Sequence, residues 1–324
     1  MAADKLIKDI LGQIDKSIVK FQEGIPGIQK GMFDGIMEQL KDLSVQNGRV
    51  LNSVQNLKLI LAVKNKLERL ILSEGYKDSV KDFIKAYDVL DGLHLQYFAQ
   101  FNQKFKPGKT LPFIRDMAVD KTLNDLLSQG LQSNVIDKIG AVLTNNITTG
   151  GTYASLTEQL RNAILTNDTG EGILEKYTRT ITTDAINQYS AQYHDALAQD
   201  LNLNWGRFIG SNITTTREFC EWLTKKEWVH RSELPEILRG NIDGHQCKLN
   251  KQKLPLGMIP GTTVDNFKIR RGGYNCGHQL FWVADSSVPE HVKARLGKPV
   301  IIQTEKKNIP PVVPVIKSNK LQPS

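Results

Sequence analysis

The sequence has few cysteines and no long apolar run. Its 324 residues include only Cys220, Cys247 and Cys276, and an odd number of cysteines argues against a disulfide framework. No stretch approaches the roughly 18 consecutive apolar residues that a membrane-spanning helix needs. Charges recur every few positions in residues 1–21, which is unlike the apolar core of a signal peptide. We therefore expect no membrane insertion, and synthesis and first function in a cytoplasm.

The motifs of several enzyme classes are also missing. The chain has no glycine-rich phosphate loop followed by Lys-Ser/Thr and no Gly-x-Ser-x-Gly. The His-x-Glu and Pro-Cys-x-x-Cys pair of zinc deaminases does not occur either. The segment Asp243-Gly-His245 faintly suggests a histidine–metal nuclease, but a matched Asn and a second His are not apparent. We expect no enzyme, with a metal-dependent nuclease or injected effector as the alternative.

Positive charge is concentrated in the last third of the chain. Residues 1–200 hold 23 Lys and Arg against 24 Asp and Glu, whereas residues 201–324 hold 19 against 10. Such an excess attracts phosphates or an acidic partner surface, and a merely solvated basic face is the alternative. The predicted contacts to DNA, which would be independent of base sequence, are Lys248, Lys251, Lys253, Lys268, Arg270 and Arg271.

The first two thirds of the chain show helical periodicity. Apolar residues recur at three- and four-residue steps, and Pro-Gly pairs separate the segments. Helices are predicted at residues 4–23, 53–72, 78–105, 152–165 and 171–200, with one or two more within 111–147. Tyr177, Ile181, Ala185, Tyr189 and Tyr193 step along one face of the last helix, and this pattern favours core packing over a binding platform.

After Asn204 the pattern changes to short strands and loops. Strands are predicted from Trp205, from Phe267 and at residues 279–283, with a turn at 214–217. The predicted fold class is α+β: a long helical N-terminal region (1–150), then a smaller mixed α+β domain with a short antiparallel sheet (151–285). Residues 286–324 are predicted to form an extended or disordered tail.

Cysteines and histidines gather in the C-terminal domain. All three cysteines and four of the six histidines lie within 59 positions, and such donors suit a tetrahedral zinc site. Cys276-x-His278 places both side chains on one side of an extended segment. Cys220 and His230 complete the predicted ligand set, with His245 and Cys247 as substitutes. A structural zinc ion is thus the one cofactor suggested; buried thiols with ordinary histidines, or a Cys220–Cys276 disulfide, are the alternatives.

Four features between residues 152 and 283 resemble the Mu F-like family of phage minor head proteins, also called phage head morphogenesis proteins. A short helix with Leu156, Leu160 and Arg161 precedes a long helix that holds Arg179-Thr-Ile-Thr-Thr-Asp-Ala-Ile-Asn187. A strand with Trp205 and the run Thr216-Arg217-x-x-Cys220 follow. The segment closes with residues 257–262 and with Gly-Gly-Tyr-Asn-Cys-Gly-His at 272–278, similar to the family's Asn-Cys-Arg-Cys or Asn-Cys-Arg-His ending. Gly277 stands where many members have arginine, and the insertion around residues 240–253 has no obvious counterpart.

The resemblance implies a structural protein of the virion rather than a metabolic enzyme. Members are present in a few copies near the portal vertex, inside the capsid. They contact the portal and capsid proteins and influence head assembly and DNA packaging or ejection. The expected location of this chain is therefore the virion, after assembly in the host cytoplasm, and its expected partners are portal protein, capsid proteins and viral DNA.

Overall fold

The computed structural model describes residues 2–102, 105–165, 170–270 and 272–296. Helices dominate the first two hundred residues, and three small antiparallel sheets are present in the described part of the chain. The α+β fold class is thereby confirmed. No helix among the described residues is long and apolar enough to span a membrane.

The helical region begins with two helices, a short hairpin and two further helices. These elements are α1 (Ala2–Gln22), α2 (Ile25–Gln39), β1 (Val45–Gln46), β2 (Arg49–Val50), α3 (Val54–Ile71) and α4 (Glu74–Ala99). Ser53 begins α3 because its side chain accepts a hydrogen bond from the main-chain N–H of Asn56 at 3.2 Å. Of the stripe predicted on α3, Leu67 and Ile71 are buried, whereas Leu57 and Leu61 are exposed.

The next helices lead to the long helix at the centre of the molecule. They are α5 (Leu111–Leu127), α6 (Gln129–Leu131), a π-helical turn (Gln132–Ile136), α7 (Asp137–Thr149), α8 (Tyr153–Ile164) and α9 (Ile173–Asp200). Helix α7 ends at Gly150, whose φ of 64° lies in the left-handed region that favours glycine. Thr152 then caps α8 by accepting from the N–H of Ser155 at 3.1 Å. All predicted helices are present.

The hairpin β1–β2 packs on the turn at Gly150-Gly151. The N–H of Val50 donates to the carbonyl of Gly151 at 2.9 Å, and the N–H of Tyr153 donates to the carbonyl of Gly48 at 2.9 Å. The Arg49 guanidinium donates to the Gly150 carbonyl at 3.1 Å. Buried side chains from Ile7 through Trp282 also form one hydrophobic core. The boundary at 150/151 remains a prediction about sequence organisation, but one core spans it.

The C-terminal region contains short elements around a three-stranded sheet. They are β3 (Trp205–Ile209), α10 (Glu218–Lys226), β4 (Trp228–His230), α11 (Leu234–Leu238), β5 (Asn241–Ile242), β6 (His245–Gln246), α12 (Phe267–Arg270), β7 (Gln279–Val283) and α13 (Glu290–Lys293). The sheet order is β4-β3-β7, all antiparallel, with Trp205 opposite Val283 and Ile209 opposite Gln279.

Two predictions about this region are wrong. The segment from Phe267 is a helix rather than a strand, because the fully buried Phe267 packs edge-to-face on Phe219 and Asn266 caps the turn before it. The predicted tail begins too early. Residues 286–296 fold back on the sheet, where Val288 and Val292 are buried against Trp205 and Val283. The remainder of the predicted tail, 297–324, lies outside the described residues.

Two buried histidines join α4, α9 and β7. The main-chain N–H of Trp282 donates to His194 Nε2 at 2.9 Å, so that nitrogen is an acceptor. His194 Nδ1 must then donate to His94 Nδ1, 3.1 Å away, and His94 Nε2 donates to Ser190 Oγ at 3.0 Å. The chain of hydrogen bonds requires both rings to be neutral. Burial, and then the neighbouring His194, hold the pKa of His94 well below its usual range.

We expect acid to destabilise the fold through this pair. A histidine whose folded pKa is lowered contributes its full stability above the unfolded pKa of about 6.5, and loses it as the pH falls below that value. The free energy of unfolding, measured by denaturant titration, should fall by up to about 1.4 kcal/mol per pH unit below pH 6.5 for His94. His94→Gln should be less stable at pH 7 with a shallower pH slope. The exposed His291→Gln should keep the wild-type slope.

Candidate metal centre

Two thiols and an imidazole meet beside the end of the central sheet. Cys220 lies in the first turn of α10, and Cys276 and His278 lie in the segment that enters β7. The sulfur atoms of Cys220 and Cys276 are 3.9 Å apart, and Cys276 Sγ is 3.6 Å from His278 Nδ1. All three residues are buried and both thiols are free. The prediction that these three residues come together is confirmed.

The distances match those of a tetrahedral metal site. Zinc binds thiolate at about 2.3 Å and imidazole nitrogen at about 2.0–2.1 Å, which in a tetrahedron places two sulfurs about 3.8 Å apart and sulfur and nitrogen about 3.6 Å apart. The sulfurs are too distant for a disulfide, whose S–S bond is about 2.05 Å. These three side chains could therefore hold a metal ion without rearrangement.

The His278 ring is oriented for binding through Nδ1. Its Nε2 lies 3.3 Å from the side-chain oxygen of Asn212, which can only accept a hydrogen bond, so Nε2 carries the proton. The lone pair of Nδ1 then faces Cys276. A second hydrogen bond on the outer nitrogen is typical of metal-binding histidines.

Two glycines allow the backbone to lie directly against these side chains. A Cβ on Gly272 would be 1.8 Å from Cys276 Sγ and 3.1 Å from Cys220 Sγ, and a Cβ on Gly210 would be 2.3 Å from the His278 ring. Arg217 holds the glycine loop by donating to the carbonyls of Gly272 and Tyr274, each at 2.7 Å. Any larger residue at position 272 would displace the sulfurs.

Asp184 on α9 lies next to these ligands, and the sequence analysis did not single it out. Its Oδ1 accepts the N–H of Asn275 at 2.7 Å. Burial raises the pKa of Asp184 to about 6, and the nearby Cys276 thiol raises it further while the Asn275 hydrogen bond opposes the shift. The available signal was its position inside the stretch that resembles the Mu F-like family.

His230 is not part of the centre, so this part of the predicted ligand set is wrong. His230 ends β4 opposite Trp205, at the far end of β3 from the strand pair Ile209–Gln279 that adjoins His278. Its Nδ1 is 2.8 Å from Ser232 Oγ, and its ring packs on Trp205. The antiparallel register separates the two histidines.

The proposed substitutes form a separate group. His245 Nε2 lies 2.9 Å from Glu218 Oε1, and the His245 ring stacks on Trp222 with centroids 3.9 Å apart. Cys247 completes this group. Burial, and then Glu218, raise the pKa of the Cys247 thiol to about 11. These residues hold the insertion against α10.

The six predicted DNA contacts differ in exposure. Lys248, Lys251 and Lys253 are exposed on one loop, as a phosphate-binding surface requires. Lys268 is buried and forms an ion pair with Asp195, so its assignment to DNA is wrong. Arg270 is half-buried and donates to the carbonyl of Pro260 at 3.2 Å. Arg271 lies outside the described residues.

A groove of about 1000 Å³ runs along α9, between α5 on one side and residues 266–274 on the other. The predicted stripe on α9 divides here. Tyr189 and Tyr193 are buried in the core, whereas Tyr177, Ile181 and Ala185 are half-buried and line the groove. Core packing therefore accounts for only the C-terminal half of that stripe.

Comparison with family models, with curated protein sequences and with solved structures finds no match to this chain.

We expect Gly272→Ala to disrupt the centre, because its Cβ would overlap Cys276 Sγ. Overpacking of this kind costs about 1–3 kcal/mol, so the melting temperature should fall by several degrees. Gly277→Ala is the matched control, since no atom lies within 4 Å of a Cβ at that position. Equal melting temperatures for the two variants, measured by calorimetry, would contradict the close approach at Gly272.

Proposed function

We propose that this chain is a structural minor head protein of a tailed bacteriophage, associated with the portal vertex and capsid interior, that assists head assembly and DNA packaging or ejection. One observation carries the proposal. The stretches of sequence that resemble the Mu F-like family, which are far apart along the chain, meet around a single centre. Unrelated sequence similarities would have no physical reason to converge.

Direct contacts join these stretches pairwise. Arg217 and Cys220 from the run at 216–220 contact Gly272, Tyr274 and Cys276 of the terminal segment. From the long helix, Asp184 accepts the N–H of Asn275. The side-chain oxygen of Asn187 also accepts from the amide of Gln279 at 2.5 Å. The contacts give each stretch a shared structural role, which supports reading them together as one family signature.

The metal of this centre is, on this proposal, zinc. Two thiolates and an imidazole are soft and borderline donors that zinc prefers, and the burial of all three favours a role in stability. Binding of zinc to such a set adds several kcal/mol to the free energy of unfolding. That contribution suits a region made of many loops and short elements.

The remaining surfaces agree with a partner-binding role. The exposed lysines of the loop at 248–253 suit DNA phosphates, and the exposed apolar residues Val54, Leu57 and Leu61 on α3 suit contact with a portal or capsid protein. Mass spectrometry of purified virions tests the role directly. The proposal requires the chain in the particle and a loss of infectivity without it. Nuclease activity with added divalent metals, in a chain absent from virions, would favour the nuclease or effector alternative.

We expect about one zinc per chain in protein purified without chelator, and its loss in Cys276→Ser together with a large fall in melting temperature. The reason is that a site with two of its ligands left binds the ion weakly. Cys247→Ser, which removes a buried thiol from the other group, should retain the metal. Elemental analysis gives the zinc content. A metal-free wild-type protein whose Cys276→Ser variant melts normally would leave packing alone as the stabilising force.

DNA binding should depend steeply on salt and not on base sequence. Replacing Lys251 and Lys253 by glutamate should weaken binding and reduce the slope of log affinity against log salt by about 2, roughly one per lost phosphate contact. Lys5→Glu with Lys8→Glu, exposed on α1, makes the same charge change elsewhere. Fluorescence anisotropy with two unrelated duplexes measures both. An unchanged slope in the Lys251/Lys253 variant would remove DNA from this loop.

A further inference from the structure

The centre offers three ligands to a metal that takes four. Every cysteine and histidine of the sequence lies in the described residues, and Cys220, Cys276 and His278 are the ones that meet here. Zinc is nearly always four-coordinate, and a site with three protein ligands holds water or an external ligand in the fourth position. The donor count alone therefore asks what completes the site.

A small void lies at the place where the fourth ligand is needed. Cys276 and Gly272 border it on one side, and Asp184, Asn187 and Gln188 of α9 border it on the other. Gly272 is also the residue that approaches both sulfurs. The void measures about 10 Å³, close to the roughly 10–15 Å³ of probe-occupied volume that one buried water needs. Its polar walls provide the hydrogen-bond partners that such a water requires.

Asp184 is placed to hold that water. Its carboxylate is not among the ligand atoms that lie within 4.8 Å of one another, so it is not itself a ligand of the centre. It borders the void, and the N–H of Asn275 fixes its Oδ1 at 2.7 Å. The carboxylate can therefore accept a hydrogen bond from a water that binds the metal, which is a common partner arrangement around metal sites.

The void adjoins the groove along α9. Asp184, Gln188 and Ile269 line both, so their side chains form the boundary between them. Lys176 and Arg270 also line the groove, and neither has a carboxylate partner among the described residues. Their positive charge attracts small anions towards the boundary with the metal centre.

We propose that the metal centre keeps an open fourth position, occupied by a water molecule that Asp184 holds as hydrogen-bond acceptor, and that small anions entering from the α9 groove replace this water. The inference rests on the proposed zinc binding. It adds to the stabilising role a site that exchanges ligands with solvent.

Cobalt(II) tests the open position because its visible absorption reports the ligand set. The full chain is loaded with Co²⁺ and titrated with azide as the anionic probe. We expect a saturable change in the visible bands of the wild-type protein. Asp184→Asn keeps the size of the side chain but removes the charge that opposes an anion and favours water. Its dissociation constant for azide should be about tenfold lower, a difference of about 1.4 kcal/mol. Asp125→Asn, a groove carboxylate that does not border the void, should bind azide like the wild type.

Each failure has a different meaning. If Co²⁺ does not bind stoichiometrically, the proposed metal binding itself is wrong. If Co²⁺ binds but its bands do not respond to azide, the site is closed and the open position is overturned. If azide binds Asp184→Asn and wild type equally, Asp184 does not hold the water. The wild-type titration decides the open position even if the Asp184 variant does not fold.

Discussion

The buried carboxylate of Asp195 is the interaction on which the C-terminal third of the molecule depends. It accepts the indole N–H of Trp282 at 2.9 Å, pairs with Arg231 at 3.3 Å and forms an ion pair with Lys268. Arg231 in turn stacks over the Trp282 ring at 3.8 Å. A buried charge without partners costs several kcal/mol, so these groups are stable only when all are assembled. One residue of α9 thereby fixes β7, the end of β4 and α12, and with them the approach of Cys276 and His278.

The regular elements could be predicted from the sequence because each follows from local periodicity. The helices and the strands at Trp205 and Gln279 repeat their apolar residues over many positions, so the signal is strong. Phe267–Arg270 is only four residues long, and its conformation depends on burial of Phe267 against Phe219, which no local pattern reveals. The segment 286–296 was similarly mistaken for tail because two valines, Val288 and Val292, supply its contacts with the sheet.

The candidate site was predictable in its donors but not in its geometry. Cys276 and His278 share one side of an extended segment, which spacing alone predicts, and Cys220 is the nearest cysteine in the matching motif. His230 was excluded by sheet register, a long-range property that places it beside Trp205. Lys268 looked like an exposed cation, yet its charge satisfies Asp195. Asp184 required knowledge of how α9 lies against the glycine loop. Each error arose where tertiary contacts, not sequence neighbours, decide the environment.

The hairpin of residues 45–50 has a mechanical consequence. Two adjacent glycines, Gly150 and Gly151, ordinarily mark a flexible joint between parts of a chain. Here their carbonyls accept hydrogen bonds from Arg49 and Val50, and Tyr153 just beyond them donates to Gly48. Rotation at the joint would break all three bonds at once. The helical region and the sheet region therefore move as one body, and a displacement applied to α3 beside the hairpin is transmitted without a hinge to the metal centre.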